Sequence, residues 1–178
     1  MKRILLFIVL ITMILQSSES QESDTSGFVN PKTLVRLHLI VPGILIEQNL
    51  RNNSTIIFDF ASGFQYEYFN INGTSTSEWH FIPYFRIEPR IYTNYNKRTI
   101  LNRRTDYYSG QYFGFQVRIG IPTNEYDAWQ SFGPLWGFQR TLGNKGYWDI
   151  SFGLGVTIDN NQTYFGGIGN FGIGFILN

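Results

Sequence analysis

The chain contains no cysteine. That one absence removes disulfide scaffolds, thiolate metal sites, thiol nucleophiles and a lipid-modified N-terminal cysteine together. Charge is also scarce, at 15% of residues, where soluble domains carry about 25%. Lys plus Arg is 14 against 13 for Asp plus Glu, a net charge of +1. A balance so near neutral offers no basic surface for phosphate backbones, so no nucleic-acid partner is expected. Beyond residue 20 the only lysines are Lys32, Lys97 and Lys145, and the only histidines are His38 and His80. Long apolar runs are missing after the N-terminus. Leu37 to Ile46 is broken by His38, Pro42 and Gly43, whereas a membrane helix needs about 20 apolar residues.

The N-terminus itself has the three-part plan of an export signal. Met1-Lys2-Arg3 is basic, Ile4 to Leu15 is apolar apart from Thr12, and Gln16 to Ser20 is small and polar. The apolar stretch is too short to span a bilayer, and Ser18-Glu19-Ser20 suits the small-x-small cleavage rule. Residues 1–20 are therefore expected to be a signal peptide cut after Ser20. Gln21 to Lys32 reads as a periplasmic lead-in or a first short strand, and residues 33–178 as one domain.

What is abundant is aromatic residues, at 17%, and glycine, at 18 residues, arranged with a period of two, the signature of strands with two unlike faces. Val35, Leu37, Leu39 and Val41 oppose Arg36 and His38. Ile56, Phe58 and Phe60 oppose Asp59, Ala61 and Gly63, and Glu67 continues the polar set. Phe81, Phe85 and Ile87 oppose His80, Tyr84, Arg86, Glu88 and Arg90. Phe113, Phe115, Val117 and Ile119 oppose Tyr112, Gly114, Gln116 and Arg118. Phe132, Trp136 and Phe138 oppose Gly133, Gly137 and Gln139. Trp148, Ile150, Phe152 and Leu154 oppose Asp149, Ser151 and Gly153. Phe165, Phe171, Ile173, Phe175 and Leu177 oppose Asn170, Gly172 and Gly174. No helical period appears. The fold class expected is all-β, an antiparallel up-and-down transmembrane β-barrel of about eight strands. Seven segments are evident. The eighth falls either in Ser23 to Lys32 or from division of the first segment at Pro42-Gly43.

Alternation alone fits a soluble barrel as well, and three features decide for a membrane. An eight-stranded barrel has room inside for small and polar side chains but not for some thirty large apolar ones. The polar face lacks the lysine that solvent-facing strands carry. It holds instead Arg36, Asp59, Glu67, Arg86, Glu88, Arg90, Arg118 and Asp149, four charges of each sign, as a lumen charge network would. Most segments also reach the roughly 9–11 residues that a tilted strand needs to cross lipid. The lipid-facing set is then Phe58, Phe60, Phe81, Phe85, Phe113, Phe115, Phe138, Phe152, Phe171 and Phe175. Trp79, Trp136 and Trp148 stand near strand ends, where an aromatic girdle sits. Asn49 to Asn53 and Gly143 to Gly146 read as tight turns on the periplasmic side. Asn70 to Ser77, Pro122 to Ala128 and Asp159 to Gln162 read as longer outer loops. Thr93 to Thr105, with Lys97, Arg98, Arg103 and Arg104, is a long connection on the periplasmic side.

On this pattern the chain resembles the small OmpA/OmpX-type transmembrane barrels. It resembles more closely the short barrel proteins of Bacteroidota, through Ile87-Glu88-Pro89-Arg90-Ile91-Tyr92 with its basic turn and through the glycine-rich ending. The resemblance covers about Thr33 to Asn178. It implies location in the outer membrane of a Gram-negative bacterium, with outer-membrane lipids and the barrel assembly machinery as partners. The usual terminal aromatic is replaced here by Phe175-Ile176-Leu177-Asn178.

Catalytic patterns are few. Outer-membrane lipid A deacylases pair a histidine with a nearby serine on the lipid-facing side, and His38 and His80 lack that setting. Two separate histidines do not make a metal site. Arg86-x-Glu88-x-Arg90 reads as a structural network across a narrow lumen, or as a selective constriction. The function expected is non-enzymatic and without cofactor, structural or surface-binding through the loops, with an extracellular ligand possible. The alternatives are a narrow channel, a lipid-acting enzyme and a soluble lipocalin-like barrel.

Overall fold

A computed structural model describes residues 30–51, 53–71, 74–123, 127–159 and 162–177, with the side chains of residues 51 and 64–80 outside the description. The expected signal peptide and its cleavage after Ser20 lie outside the described residues, as does most of the lead-in. Asn30 to Lys32 forms no strand.

The chain is all-β. Eight antiparallel strands follow one another in sequence order and close into a barrel: β1 Thr33–His38, β2 Gly43–Arg51, β3 Ser54–Ile71, β4 Thr74–Tyr92, β5 Gly110–Gly120, β6 Trp129–Leu142, β7 Gly146–Asp159 and β8 Gln162–Ile176. Closure comes from β1 on β8, with Arg36 opposite Ile176 and His38 opposite Gly174. Both ends of the described chain fall at one end of the barrel, here the base. The opposite end is the rim.

The eighth strand comes from the first apolar segment, not from the lead-in. The chain turns over Leu39 to Pro42, so that β1 and β2 form a short hairpin with Leu37 opposite Ile44. Proline lacks the N–H that a ladder needs, and Gly43 tolerates a close approach to Ala61 that a Cβ would block. The turn is apolar, which hides it in the sequence.

Two loops expected at the rim are strands instead. Asn70 to Ser77 and Asp159 to Gln162 are mostly taken up by the β3–β4 and β7–β8 ladders, which run out to Ile71–Thr74 and Asp159–Gln162. Ladder hydrogen bonds between two polar strands satisfy the backbone there without help from a third. Gly143 to Lys145 is a tight turn, with Gly143 at a φ of 57°, a conformation glycine adopts at no steric cost. The longest described connection, between β4 and β5, lies at the base. It contains a short helix, α1 (Tyr95–Ile100), and a single 3₁₀ turn at Asp106–Tyr108. Lys97 and Arg98 in the last turn suit the negative end of the helix dipole. Asn102, just past the helix, sits at a φ of 50°, a left-handed position that asparagine tolerates better than most residues.

Candidate functional site: a charged lumen closed at the base

Strand parity carries one face of each strand into the barrel. On β4 the inward set is Ile82, Tyr84, Arg86, Glu88, Arg90 and Tyr92, all buried. From the other strands come Arg36, His38, Glu47, Asp59, Tyr112, Gln139, Tyr147 and Asp149, also buried. Charges removed from water must be paired, and these are. Arg86 binds Asp59 at 2.8 Å and Glu88 at 2.9 Å; Arg90 binds Glu88 at 2.6 Å and Asp149 at 2.7 Å. Arg36 binds Glu47 at 2.7 Å. Gln139 joins the two groups, accepting from Arg90 at 2.8 Å and from Arg36 at 3.3 Å.

Tyrosines complete the acids' coordination. Tyr92 donates to Glu47 at 2.7 Å, as does Thr55, and Tyr112 donates to Asp149 at 2.9 Å. The Arg90 guanidinium stacks on the Tyr112 ring, 3.8 Å from its centroid. Gly137 makes room for that ring, since a Cβ there would strike it. His38 lies between Tyr147, whose hydroxyl is 2.8 Å from Nδ1, and Asp59, 3.3 Å from Nε2 but not aligned for a hydrogen bond.

Of the eight charges expected in the lumen, Arg36, Asp59, Arg86, Glu88, Arg90 and Asp149 are joined through these contacts. Glu67 lies on β3 opposite Glu78, and its side chain is outside the described residues. Arg118 faces inward but stands apart, donating to Gln116 and to the Gly169 carbonyl, each at 3.2 Å. Sequence reasoning placed Gln139 on the polar face of its strand without joining it to the charge network, and missed Glu47. For Glu47 a parity signal was present, since Ile44 and Ile46 are apolar at alternate positions of the same segment.

The base of the lumen is closed by the β4–β5 connection. Arg36 donates to the Tyr107 carbonyl at 3.0 Å, and Gln139 donates to those of Tyr107 and Tyr108 at 3.0 and 3.3 Å. Tyr108 in turn donates from its hydroxyl to Pro31 at 2.8 Å, and its N–H reaches Asn30 at 3.1 Å. Tyr107 and Tyr108 have φ of 51° and 60°, and left-handed backbone costs a non-glycine residue about 1–2 kcal/mol. The inverted backbone aims carbonyl oxygens into the barrel, where buried donors need them. With Leu34, Tyr92, Tyr112, Leu135, Tyr147 and Ile176, Tyr108 forms an apolar floor. Burial pushes the Tyr108 phenol well above its ordinary range, and the Glu47 charge adds to this. Outside the floor, Arg104 holds Asp106 at 2.6 Å, and that hydrogen bond keeps its guanidinium above the usual arginine range. Partial burial, with Arg103 nearby, lowers Arg98.

Charge outside the lumen is divided between the two ends. Lys32, Lys97, Arg98, Arg103, Arg104, Arg140 and Lys145 all belong to the base, with Asp106 the only acid there among the described residues. Asp127 and Asp159 belong to the rim.

The outer face is apolar. Phe60, Phe81, Phe113, Phe115, Phe152, Phe171 and Phe175 are exposed, and Phe58, Phe85 and Phe138 are partly so. Trp136 packs edge-on against Phe138 and Phe152 on this face. No group of three His, Asp or Glu among the described residues is placed to hold a metal ion. Comparison of the chain with protein-family models, with curated proteins and with solved structures finds no match.

Proposed function

We propose that the mature chain is a small outer-membrane β-barrel of the OmpA/OmpX type, exported by a cleaved signal peptide. It serves as a non-enzymatic structural or surface-binding element. The observation that carries this reading is the inversion of the two faces. The closed sheet keeps a paired charge network inside and turns phenylalanines outward on β3 to β8, with Leu39 and Ile44 exposed beside them at the first hairpin. A water-soluble monomer rarely exposes an apolar patch beyond a few hundred Å², whereas a bilayer requires such a belt around a closed sheet. The same orientation of Phe58, Phe115 and Phe152 weighs against a soluble lipocalin-like barrel.

The filled lumen, with Tyr107 and Tyr108 across its base, favours a structural network over a conducting path. His38 faces the lumen, away from the surface where a lipid-acting enzyme would need it. The outer-membrane lipids and the assembly machinery are the partners this reading implies, and the rim is where an extracellular ligand would meet it.

The test is expression of the full chain in a Gram-negative host, followed by membrane fractionation and gels with and without boiling. Outer-membrane recovery with a heat-dependent mobility shift is expected. Recovery as soluble periplasmic or secreted protein overturns the proposal.

A further inference from the structure

The barrel wall is incomplete on one side. β1 and β2 have 6 and 9 residues, while their outer neighbours β8 and β3 have 15 and 18. The β2–β3 ladder ends at Gly43–Ala61, followed by one bond from Ser62 N to the Pro42 carbonyl. The β1–β8 ladder ends at His38–Gly174, followed by one bond from Leu39 N to the Ile173 carbonyl. Above these points β3 pairs only with β4 and β8 only with β7, and no ladder joins β3 to β8 among the described residues. The result is a notch, floored by the Leu39–Pro42 turn and flanked by the free edges of β3 and β8. Its surroundings are apolar: Leu39 and Ile40 on the floor are 55% and 49% exposed, and Phe165 and Phe171 project outward from β8.

A lone cation stands behind the notch. The Ile173 carbonyl points toward β1, and antiparallel alternation directs the Gly169 carbonyl to the same side, where β8 has no neighbour. Arg118 crosses from β5 to donate to that carbonyl at 3.2 Å. Each of Arg36, Arg86 and Arg90 has a carboxylate within 3 Å, but no described carboxylate lies within ion-pair distance of Arg118. Its acceptors among the described residues, Gln116 Oε1 and Gly169 O, are both neutral. Two donors at this point are unclaimed: Nε of Arg118, and Nε2 of Gln116, which is fully buried. The Tyr84 ring lies beneath the guanidinium, 4.6 Å away, and holds its plane.

From this arrangement we infer that the notch is a lateral binding site for an amphiphile with a single carboxylate head and an acyl tail. The tail lies across Leu39, Ile40 and Phe171, and the head enters to pair with Arg118 and Gln116. A guanidinium edge matches a carboxylate in bidentate fashion. One cation and one amide suit a monoanion, and a doubly charged phosphate would call for more positive charge. The inference rests on the membrane reading, since the bilayer delivers the ligand sideways.

Trp129 supplies a reporter. Its indole lies against Gly120, two residues along β5 from Arg118, where a Cβ would collide with the ring. The full mature protein is inserted into phosphatidylcholine vesicles, with insertion verified by the heat-dependent gel shift. Tryptophan emission is then titrated with bromine-labelled palmitic acid and with its methyl ester. Saturable quenching by the acid is expected, with at least tenfold weaker response to the ester. Arg118→Gln should lose the difference while keeping the gel shift, and Trp129→Phe should lose most of the saturable signal. If Arg118→Gln does not insert, Gln116→Leu takes its place, with a reduced preference for the acid expected. Equal quenching by acid and ester, or an unchanged preference in the variant used, overturns the inference and leaves the barrel standing. Suppression of the acid signal by added phosphatidylglycerol overturns the carboxylate assignment. Failure of the wild type to show a gel shift overturns the membrane reading, and the inference with it.

Discussion

Arg36 on the first strand donates to the main-chain oxygen of Tyr107, 3.0 Å away, and so ties the closing ladder of the barrel to the segment that seals its base. The same guanidinium holds Glu47 at 2.7 Å. Closure, lumen charge and floor thus share one side chain, and damage to the network is expected to reach all three.

Glu88 bridges two arginines, at 2.9 Å from Arg86 and 2.6 Å from Arg90, with all three side chains fully buried. Glu88→Gln leaves both cations short of negative charge. Removing one partner of a buried pair costs about 3–5 kcal/mol, so a large drop in the urea midpoint of the vesicle-inserted protein is expected. A midpoint within error of wild type would show that the network contributes little to stability.

Phe115 is exposed near the middle of β5. In lipid, an arginine there costs about 2–4 kcal/mol; in water, an exposed substitution changes stability by about 0.5 kcal/mol or less. Phe115→Arg is expected to behave in the first way when its unfolding from vesicles is compared with wild type. The milder outcome would count directly against a membrane-facing belt.

Left-handed backbone at Asn102 gives a local test of the base. Asn102→Val puts a β-branched residue at a φ of 50° and should cost about 1–2 kcal/mol, while Asn102→Gly should be near neutral. Proteolysis of the β4–β5 connection, followed over time, ranks the two: the valine variant is expected to be cut faster.

Tyr108 gives the barrel an alkaline limit. Its phenol is raised above the ordinary value of 10.0 by burial, so the stabilisation is fully present below pH 10. Above that pH the unfolded chain gives up a proton that the folded chain keeps, and stability falls by about 1.4 kcal/mol per pH unit for this one group. Urea midpoints from pH 8 to pH 11 should show a shallower decline in Tyr108→Phe than in wild type. Parallel slopes would remove Tyr108 from the account.

With the lumen filled by Arg36, Arg90, Gln139 and Tyr112 and floored by Tyr108, no ion path is expected. Planar bilayers containing the wild-type protein should show no conductance steps. Reproducible steps that vanish in Arg90→Met would instead establish a pore past that residue.

Much of the barrel was legible because a strand's two faces separate at every second residue. Arg86, Glu88 and Arg90 announce an inward face on β4 before any fold is known, and Phe113, Phe115 and Val117 announce an outward one on β5. The first hairpin was harder: Leu39, Ile40 and Val41 are as apolar as a strand, so composition does not mark the turn, and Pro42 alone hints at it. Glu47 was obscured by its neighbours in Ile44-Leu45-Ile46, where an inward leucine interrupts the alternation. The floor could not be read at all. Nothing in Asp106-Tyr107-Tyr108 signals left-handed backbone, because that conformation is imposed by Arg36 and Gln139, which lie far away in sequence. Rim loops were overestimated, since polar residues such as Asn70 and Ser75 are compatible with a ladder that extends past the barrel.

The uneven placement of charge between base and rim bears on how such a barrel enters a bilayer. Carrying through lipid the seven base cations whose side chains are described would multiply the cost of a single buried charge, whereas among the described side chains the rim offers Asp127 and Asp159, which protonation can silence. On the membrane reading the rim therefore leads and the base stays behind, which makes insertion vectorial without any energy source. Protease added outside vesicles into which the protein has folded should then cut at Lys97 to Arg104 and spare the β3–β4 tip. On this reading the arginines and lysines of the base act as the barrel's own stop.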